Sequence, residues 1–184
     1  MNNPWDVRPR ADKGDATPDS IFFNVGVALT SWELLESALA ELFDCLVSGS
    51  PNALQSNRSG IAAFIAVSSS SGRTQMLDAA IPRALKHSKF LVDAKALIQQ
   101  VKDFGARRNE IAHGIVFDLN EVGFYLCPNN TNPNKWHRKG QSIGAATYQY
   151  TSGDLSHYIS QFEALRSLCT ALIANIQSER GAQD

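Results

Sequence analysis

Three side chains in one short stretch, Arg108, Asn109 and His113, are suited to act together on a phosphate group. Arginine stays protonated in proteins and binds phosphate oxygens through two parallel hydrogen bonds. Histidine exchanges a proton near neutral pH, because the ordinary pKa of an imidazole is about 6.5. Asn109 and His113 are four positions apart and therefore share one edge of a helix. These residues predict a site for acid–base chemistry, with Asn109 orienting the imidazole or donating to phosphate.

An amphipathic helix over about residues 88–113 is predicted to position these side chains. Its apolar residues recur at steps of three and four, and the next step along that face reaches Arg108. The face consists of Phe90, Ala94, Leu97, Val101 and Phe104. A charge in line with a core face is costly unless it is paired or in use, and Glu36 is the best candidate to hold Arg108. Gly114 is expected to end the helix as a left-handed C-cap.

The rest of the chain predicts further helices and a small β segment. A first long helix follows Pro18, and a last one begins at Thr151 or Ser152 with an apolar face that continues to Ile176. Residues 58–88 are also helical but broken at Ser68–Gly72, which fits either one kinked helix or two short ones. Strands are expected at 115–119, 122–126 and 145–150.

The predicted fold class is therefore mainly all-α. We expect an antiparallel four- to five-helix bundle, with a small β-hairpin or three-strand insertion before the last helix. The domain organisation is a flexible N-terminal arm over residues 1–18, one helical domain over 19–178 with the insertion at about 115–150, and a frayed tail over 179–184.

Composition restricts the class of protein. The 184 residues suffice for one domain, and 17 Lys and Arg against 18 Asp and Glu mean that nucleic-acid binding would need a local basic patch. Three widely separated cysteines indicate neither a disulfide framework nor a zinc site, which favours a cytoplasmic location. No apolar run of about 18 residues or signal-peptide core is present, so no membrane association is expected.

The motif Arg108-Asn109-x-x-x-His113, at the end of the penultimate long helix, resembles the HEPN superfamily. The ribonuclease signature of that family is Arg, a polar residue, and His after four to six intervening positions. The resemblance covers roughly residues 20–178, with about 115–150 as a variable insertion. It implies a homodimer in which two motifs line a shared groove, and a metal-independent endoribonuclease without a cofactor. It also implies a toxin or an effector of abortive infection or antiviral defence, with a protein antitoxin or inhibitor as a possible partner.

Helix geometry agrees with a two-copy site. Arg108 and His113 are five positions apart, hence about 140° apart around an ideal helix, and do not face one phosphate from a regular helix. Two copies meeting at a two-fold axis would complete one cleft. Metal-free RNA cleavage needs a base for the 2′-hydroxyl, an acid for the 5′-oxygen and a cation for the charged phosphorane. His113 suits the acid–base role and Arg108 the phosphate clamp.

Further residues are candidates for RNA contact or support. A long exposed loop predicted between the second and third strands combines cations with an aromatic ring that could stack on a base. The loop residues are Lys135, Trp136, Arg138 and Lys139. Arg107 is interpreted as a surface residue that contacts phosphate or forms a salt bridge. Arg73 reaches the same cleft or remains on a helix surface. No metal-ligand spacing is found.

Two other classes of function remain open. The bundle could be a non-catalytic module for dimerisation or for nucleotide and RNA binding that uses the same groove. It could also be a purely structural helical protein in which His113 and Gly114 only terminate a helix.

Overall fold

The structure, a computed structural model, describes residues 11–48, 58–119, 122–128 and 149–182. Its elements in chain order are α1 (Pro18–Ser48), α2 (Ser59–Ala66), α3 (Ser70–Ala84), α4 (Leu91–Ala112), β1 (Ile115–Asp118), β2 (Phe124–Cys127) and α5 (Ser152–Gly181). The predicted class, mainly α with a small antiparallel hairpin before the last helix, is confirmed. None of these described helices has an apolar stretch long enough to cross a bilayer.

Residues 58–88 form two helices, α2 and α3, which settles the alternative left open by the sequence. Val67 ends α2 in an extended conformation, and the Ser69 side chain caps α3 by accepting a hydrogen bond from the Gly72 amide at 3.0 Å. Arg73 then donates from Nε to the Val67 carbonyl at 2.8 Å and forms an ion pair with Glu36 of α1. Ser69 therefore caps the helix that follows the break, and Arg73 links the break to α1.

The chain divides into two compact units, and the three long helices contribute to both. We call Trp32–Gly105 with Phe162–Asp184 the core unit, and Met1–Ser31 with Ala106–Gln161 the motif unit.

In the core unit, α1 and α5 run parallel and α4 runs antiparallel to α5. Trp32 packs edge-on against Phe162 with ring centroids 5.0 Å apart, and Arg180 Nη1 donates to the Cys45 carbonyl at 2.6 Å, so residue numbers rise together along α1 and α5. Phe104 of α4 also packs against Phe162, whereas Ser88, shortly before α4, donates to Glu179 near the end of α5. These contacts set the direction of the helix that ends in the motif.

The apolar face predicted for α5 is confirmed along its whole length. Every residue of it is buried: Leu155, Tyr158, Phe162, Leu165, Cys169, Leu172 and Ile176. We expect a frayed tail from residue 179, but in the structure α5 continues as a helix to Gly181. Glu179 and Arg180 make the polar contacts described above, which hold the last turn of the helix in place.

In the motif unit, β1 and β2 form an antiparallel hairpin whose outer edge is covered by two other segments. Phe117 pairs with Tyr125 in the hairpin register. On the other side of β2, Asp15 forms a bridge to Phe124, and Tyr150 exchanges two backbone hydrogen bonds of 2.9 Å with Leu126. Tyr150 thus supplies the described end of the predicted third strand, and residues 145–148 lie outside the described ranges.

Residues 11–17 are part of this unit, which corrects the expectation of a loose arm for that stretch. Asp15 pairs with β2, and its carboxylate accepts hydrogen bonds from the Ser152 amide at 2.8 Å and from the Ser20 hydroxyl at 3.1 Å. The Tyr125 hydroxyl donates to the Ala11 carbonyl at 3.0 Å. Backbone pairing and a shared carboxylate, neither of which has a strong sequence signature, order this segment.

Candidate functional site at the end of helix α4

The last turns of α4 place two charged residues inside the motif unit. Arg107 is 2% exposed and Glu110 is 6% exposed. Arg107 Nη1 donates to Glu110 Oε2 at 2.7 Å and to the Tyr150 hydroxyl at 3.0 Å, and that hydroxyl donates to the same carboxylate oxygen. Three polar groups therefore satisfy one another where each alone would be costly to bury. We call Arg107, Glu110 and Tyr150 the buried triad.

The expectation that Arg107 lies at the surface is wrong. Of the two neighbouring arginines, Arg107 and not Arg108 is the one buried on the core face of α4. After Phe104 the buried positions continue at Arg107 and Ile111, three and seven residues further on, and Arg108 is half-buried. Steps of three and of four both fit a helix, so the pattern alone left the last turn ambiguous. The salt-bridge alternative for Arg107 is the one that the geometry matches.

Burial and pairing shift the pKa values of the triad. Burial raises the pKa of the Glu110 carboxyl, and the Arg107 charge and the hydrogen bond from Tyr150 offset this only in part. Burial alone would lower the pKa of the Arg107 guanidinium, but the neighbouring acidic groups of Tyr150 and Glu110 raise it above its ordinary value. Burial and the Glu110 charge raise the pKa of the Tyr150 phenol, so this hydroxyl keeps its proton as a donor.

The three motif residues lie on the other side of the same turns. Asn109 and His113 are exposed, and Arg108 is half-buried. Asn109 lies between the other two around the helix, about 100° from Arg108 and about 40° from His113. Arg108 Nη1 donates to Asn109 Oδ1 at 3.3 Å, which brings the guanidinium beside the amide. This contact directs Arg108 toward the helix edge that Asn109 shares with His113.

Glu36 does not take the role expected of it as the partner of Arg108. Its carboxylate pairs with Arg73 and accepts a hydrogen bond from Trp32 Nε1 at 3.1 Å, all within the core unit. Arg73 in turn is held by the Val67 carbonyl and by Glu36, so the structure gives it a structural role at the α2–α3 break. Neither residue is assigned to the motif.

Gly114 follows α4 for a steric reason and not as a left-handed cap. Among the described glycines only Gly123 has a positive φ, of 105°. A Cβ on Gly114 would lie 2.7 Å from Cδ1 of Leu126 and 3.0 Å from the Glu110 carbonyl oxygen. Glycine is needed because the Leu126 side chain of β2 packs closely against the backbone where α4 ends and β1 begins.

Gly114→Ala is expected to lower the free energy of unfolding by about 1–3 kcal/mol, because a buried Leu126 on a paired strand has little room to move. Urea denaturation followed by circular dichroism measures the change. Gly26→Ala is the matched control, since a Cβ there meets nothing within 4 Å inside α1, and it should stabilise by roughly 0.5–1 kcal/mol. Equal stabilities for the two variants would contradict the close approach of β2.

Several predicted residues are not described. Lys135, Trp136, Arg138 and Lys139 lie outside the described residues, so their RNA contacts stay a prediction. Within the described part of the chain, no group of three or more His, Cys, Asp or Glu side chains is placed to hold a metal ion.

Sequence reasoning missed Glu110 and Tyr150. The three-residue spacing of Arg107 and Glu110 on a helix was an available signal for a pair. Tyr150, 43 positions beyond Arg107, had none.

Comparison of the chain with protein-family models, with curated proteins and with solved structures finds no match. We therefore infer the function from the geometry at the end of α4 and from the motif.

Proposed function

We propose that the chain is a metal-independent endoribonuclease of the HEPN type, in which the outward side of α4 supplies the reacting groups. The observation that carries the proposal is the division of the last turns of α4. Arg107 is buried and hydrogen-bonded to Glu110 and Tyr150. Arg108 lies half-buried on the flank of the helix, and Asn109 and His113 lie on its exposed side. A guanidinium can stabilise the charged phosphorane and accessible imidazoles can supply the base and the acid that metal-free cleavage of a phosphodiester requires.

In the proposed reaction the 2′-hydroxyl of RNA is the nucleophile. One His113 imidazole accepts the hydroxyl proton while the 2′-oxygen bonds to phosphorus, and a protonated imidazole donates to the 5′-oxygen as its bond to phosphorus breaks. Arg108 stabilises the charge that develops on the phosphorane, and Asn109 orients the imidazole or donates to a phosphate oxygen. The products are a 2′,3′-cyclic phosphate and a 5′-hydroxyl.

The proposal includes a homodimer, because Arg108 and His113 leave a regular helix about 140° apart, and two copies that meet at a two-fold axis would complete one cleft. The chain directly after His113 supports an interface there. Ile115 and Phe117 of β1 are 46% and 48% exposed, and alternate residues of a strand share one face. A second copy would cover this apolar surface next to the motif. By resemblance to HEPN proteins, we propose that the chain acts in the cytoplasm as a toxin or antiviral-defence effector and that a protein partner inhibits it.

The test uses the purified full chain, end-labelled RNA of randomised sequence and EDTA. We expect cleavage to fragments that end in a 2′,3′-cyclic phosphate, identified by mass spectrometry, and we expect DNA of the same composition to stay intact because it lacks the 2′-hydroxyl. Sedimentation under the same conditions should give the mass of two chains.

Other outcomes decide against the proposal. Cleavage of DNA, or RNA products that begin with a 5′-phosphate, would exclude attack by the 2′-hydroxyl. RNA that is bound and left intact would favour the non-catalytic binding module. No binding and no cleavage would remove both RNA functions.

A further inference from the structure

The buried triad connects the end of α4 to two other elements of the motif unit. Tyr150 is held on β2 by its two backbone hydrogen bonds with Leu126. The next residue, Thr151, caps α5: its hydroxyl accepts from the Asp154 amide at 3.3 Å, and its own amide donates to the Asp154 carboxylate at 3.0 Å. The Tyr150 ring also packs edge-on against Tyr158 of α5, with centroids 5.6 Å apart. The hydroxyl that reaches Arg107 and Glu110 is therefore fixed from several directions.

The triad sets the rotation of α4 about its own axis. Arg107 and Glu110 enclose Arg108 and Asn109 in sequence and face the opposite way. Turning the last turns by one residue, about 100°, would put Arg108 in the place of Arg107 and Ile111 in the place of Glu110, so that the buried guanidinium would lose its carboxylate partner. Removing a partner from a buried charge is strongly unfavourable, and buried polar pairs are used in helical proteins to fix register. The contacts of the buried triad thus determine which of the two arginines is buried.

We propose that Arg107, Glu110 and Tyr150 act as positioning residues that hold Arg108, Asn109 and His113 in their outward register. This inference rests on the proposed ribonuclease function for its effect on catalysis, but its effect on the geometry of α4 can be measured separately. Their described side-chain hydrogen bonds are with one another, so in this role they act through the helix that they fix and not on the reacting atoms.

Tyr150→Phe is the informative variant, because it keeps the ring against Tyr158 and removes only the hydroxyl. We expect kcat for RNA cleavage to fall on the order of 10- to 100-fold, since small misplacements of reacting groups have effects of this size. RNA affinity and the circular dichroism spectrum should stay unchanged. The NMR signals of the Asn109 amide and the His113 ring should shift, with Asn109→Ala and His113→Ala used for their assignment.

Tyr125→Phe is the matched control. Tyr125 is a buried tyrosine of the same unit, and its hydroxyl donates to the Ala11 carbonyl and takes no part in the triad. It should leave kcat and both signals as in the wild type. If Tyr150→Phe fails to fold, Arg107→Lys makes the same test, because lysine keeps the charge and loses the planar donor fork.

The outcomes separate the two proposals. A wild type that cleaves RNA with an equally active Tyr150→Phe variant would overturn the positioning role and leave the ribonuclease standing. Equal losses in Tyr150→Phe and Tyr125→Phe would indicate general loosening and would also overturn it. If the wild type does not cleave RNA, the ribonuclease proposal fails. The shifts of Asn109 and His113 then decide alone whether the triad positions the outward residues.

Discussion

Replacing His113 with alanine is expected to lower the rate of RNA cleavage by roughly 10²- to 10⁴-fold, the usual contribution of a positioned acid or base. The His113 side chain is exposed. Among the described contacts of His113, the hydrogen bond that continues the helix is the one from its backbone amide to the Asn109 carbonyl, at 3.1 Å. Removing the side chain should therefore change the free energy of unfolding by no more than about 0.5 kcal/mol. Single-turnover cleavage in the presence of EDTA measures the rate, and urea denaturation measures the free energy of unfolding.

His87→Ala is the control for this experiment, since His87 is also exposed but lies in the core unit, before α4. It should cleave RNA at the wild-type rate. If His113→Ala is as active as His87→Ala, His113 is not the acid–base residue and any cleavage comes from another part of the chain or from a contaminating nuclease.

Glu110→Leu is expected to lower the free energy of unfolding by about 3–5 kcal/mol, because it leaves the Arg107 charge buried without its carboxylate. The triple variant Arg107→Met/Glu110→Leu/Tyr150→Phe removes all three polar groups together and should lose clearly less than Glu110→Leu alone. Urea denaturation of both variants, compared through the change in midpoint, measures the difference.

Glu163→Leu provides the comparison for a carboxylate on a helix surface, because Glu163 is exposed on α5. A change within about 0.5 kcal/mol is expected there. A loss of similar size for Glu110→Leu and Glu163→Leu would mean that the Arg107–Glu110 pair is solvated and not part of the interior. A triple variant that is less stable to urea than Glu110→Leu would mean that the three polar groups of the buried triad contribute stability of their own.

Periodicity predicted those parts of the fold in which one rule dominates. The apolar face of α5 is predicted without error, because heptad-like spacing over the 22 residues from Leu155 to Ile176 has one solution. The hairpin followed from two β-prone runs separated by Asn120 and Glu121. The pairing of Asp15 with β2 was beyond reach, because a single polar residue that bridges to a strand has no periodicity.

The candidate site shows the same limit. Chemistry-bearing residue types and the spacing of Asn109 and His113 were readable, and the structure places both on the exposed side of α4. The choice between Arg107 and Arg108 was not readable, since a step of three or of four after Phe104 is equally helical. Tyr150 decides it through a contact that spans 43 residues.

The long sequence separations in the motif unit have a consequence for biosynthesis. Asp15 meets its Ser152 partner 137 residues later, and Tyr150 reaches Glu110 across 40 residues. At translation rates of about 5–20 residues per second, Asp15 waits roughly 7–27 seconds after its own synthesis before Ser152 is made. Until Tyr150 has left the ribosome, a nascent chain has no third partner for Arg107 and Glu110. The register of the outward residues is therefore set only after the segment through Tyr150 has left the ribosome.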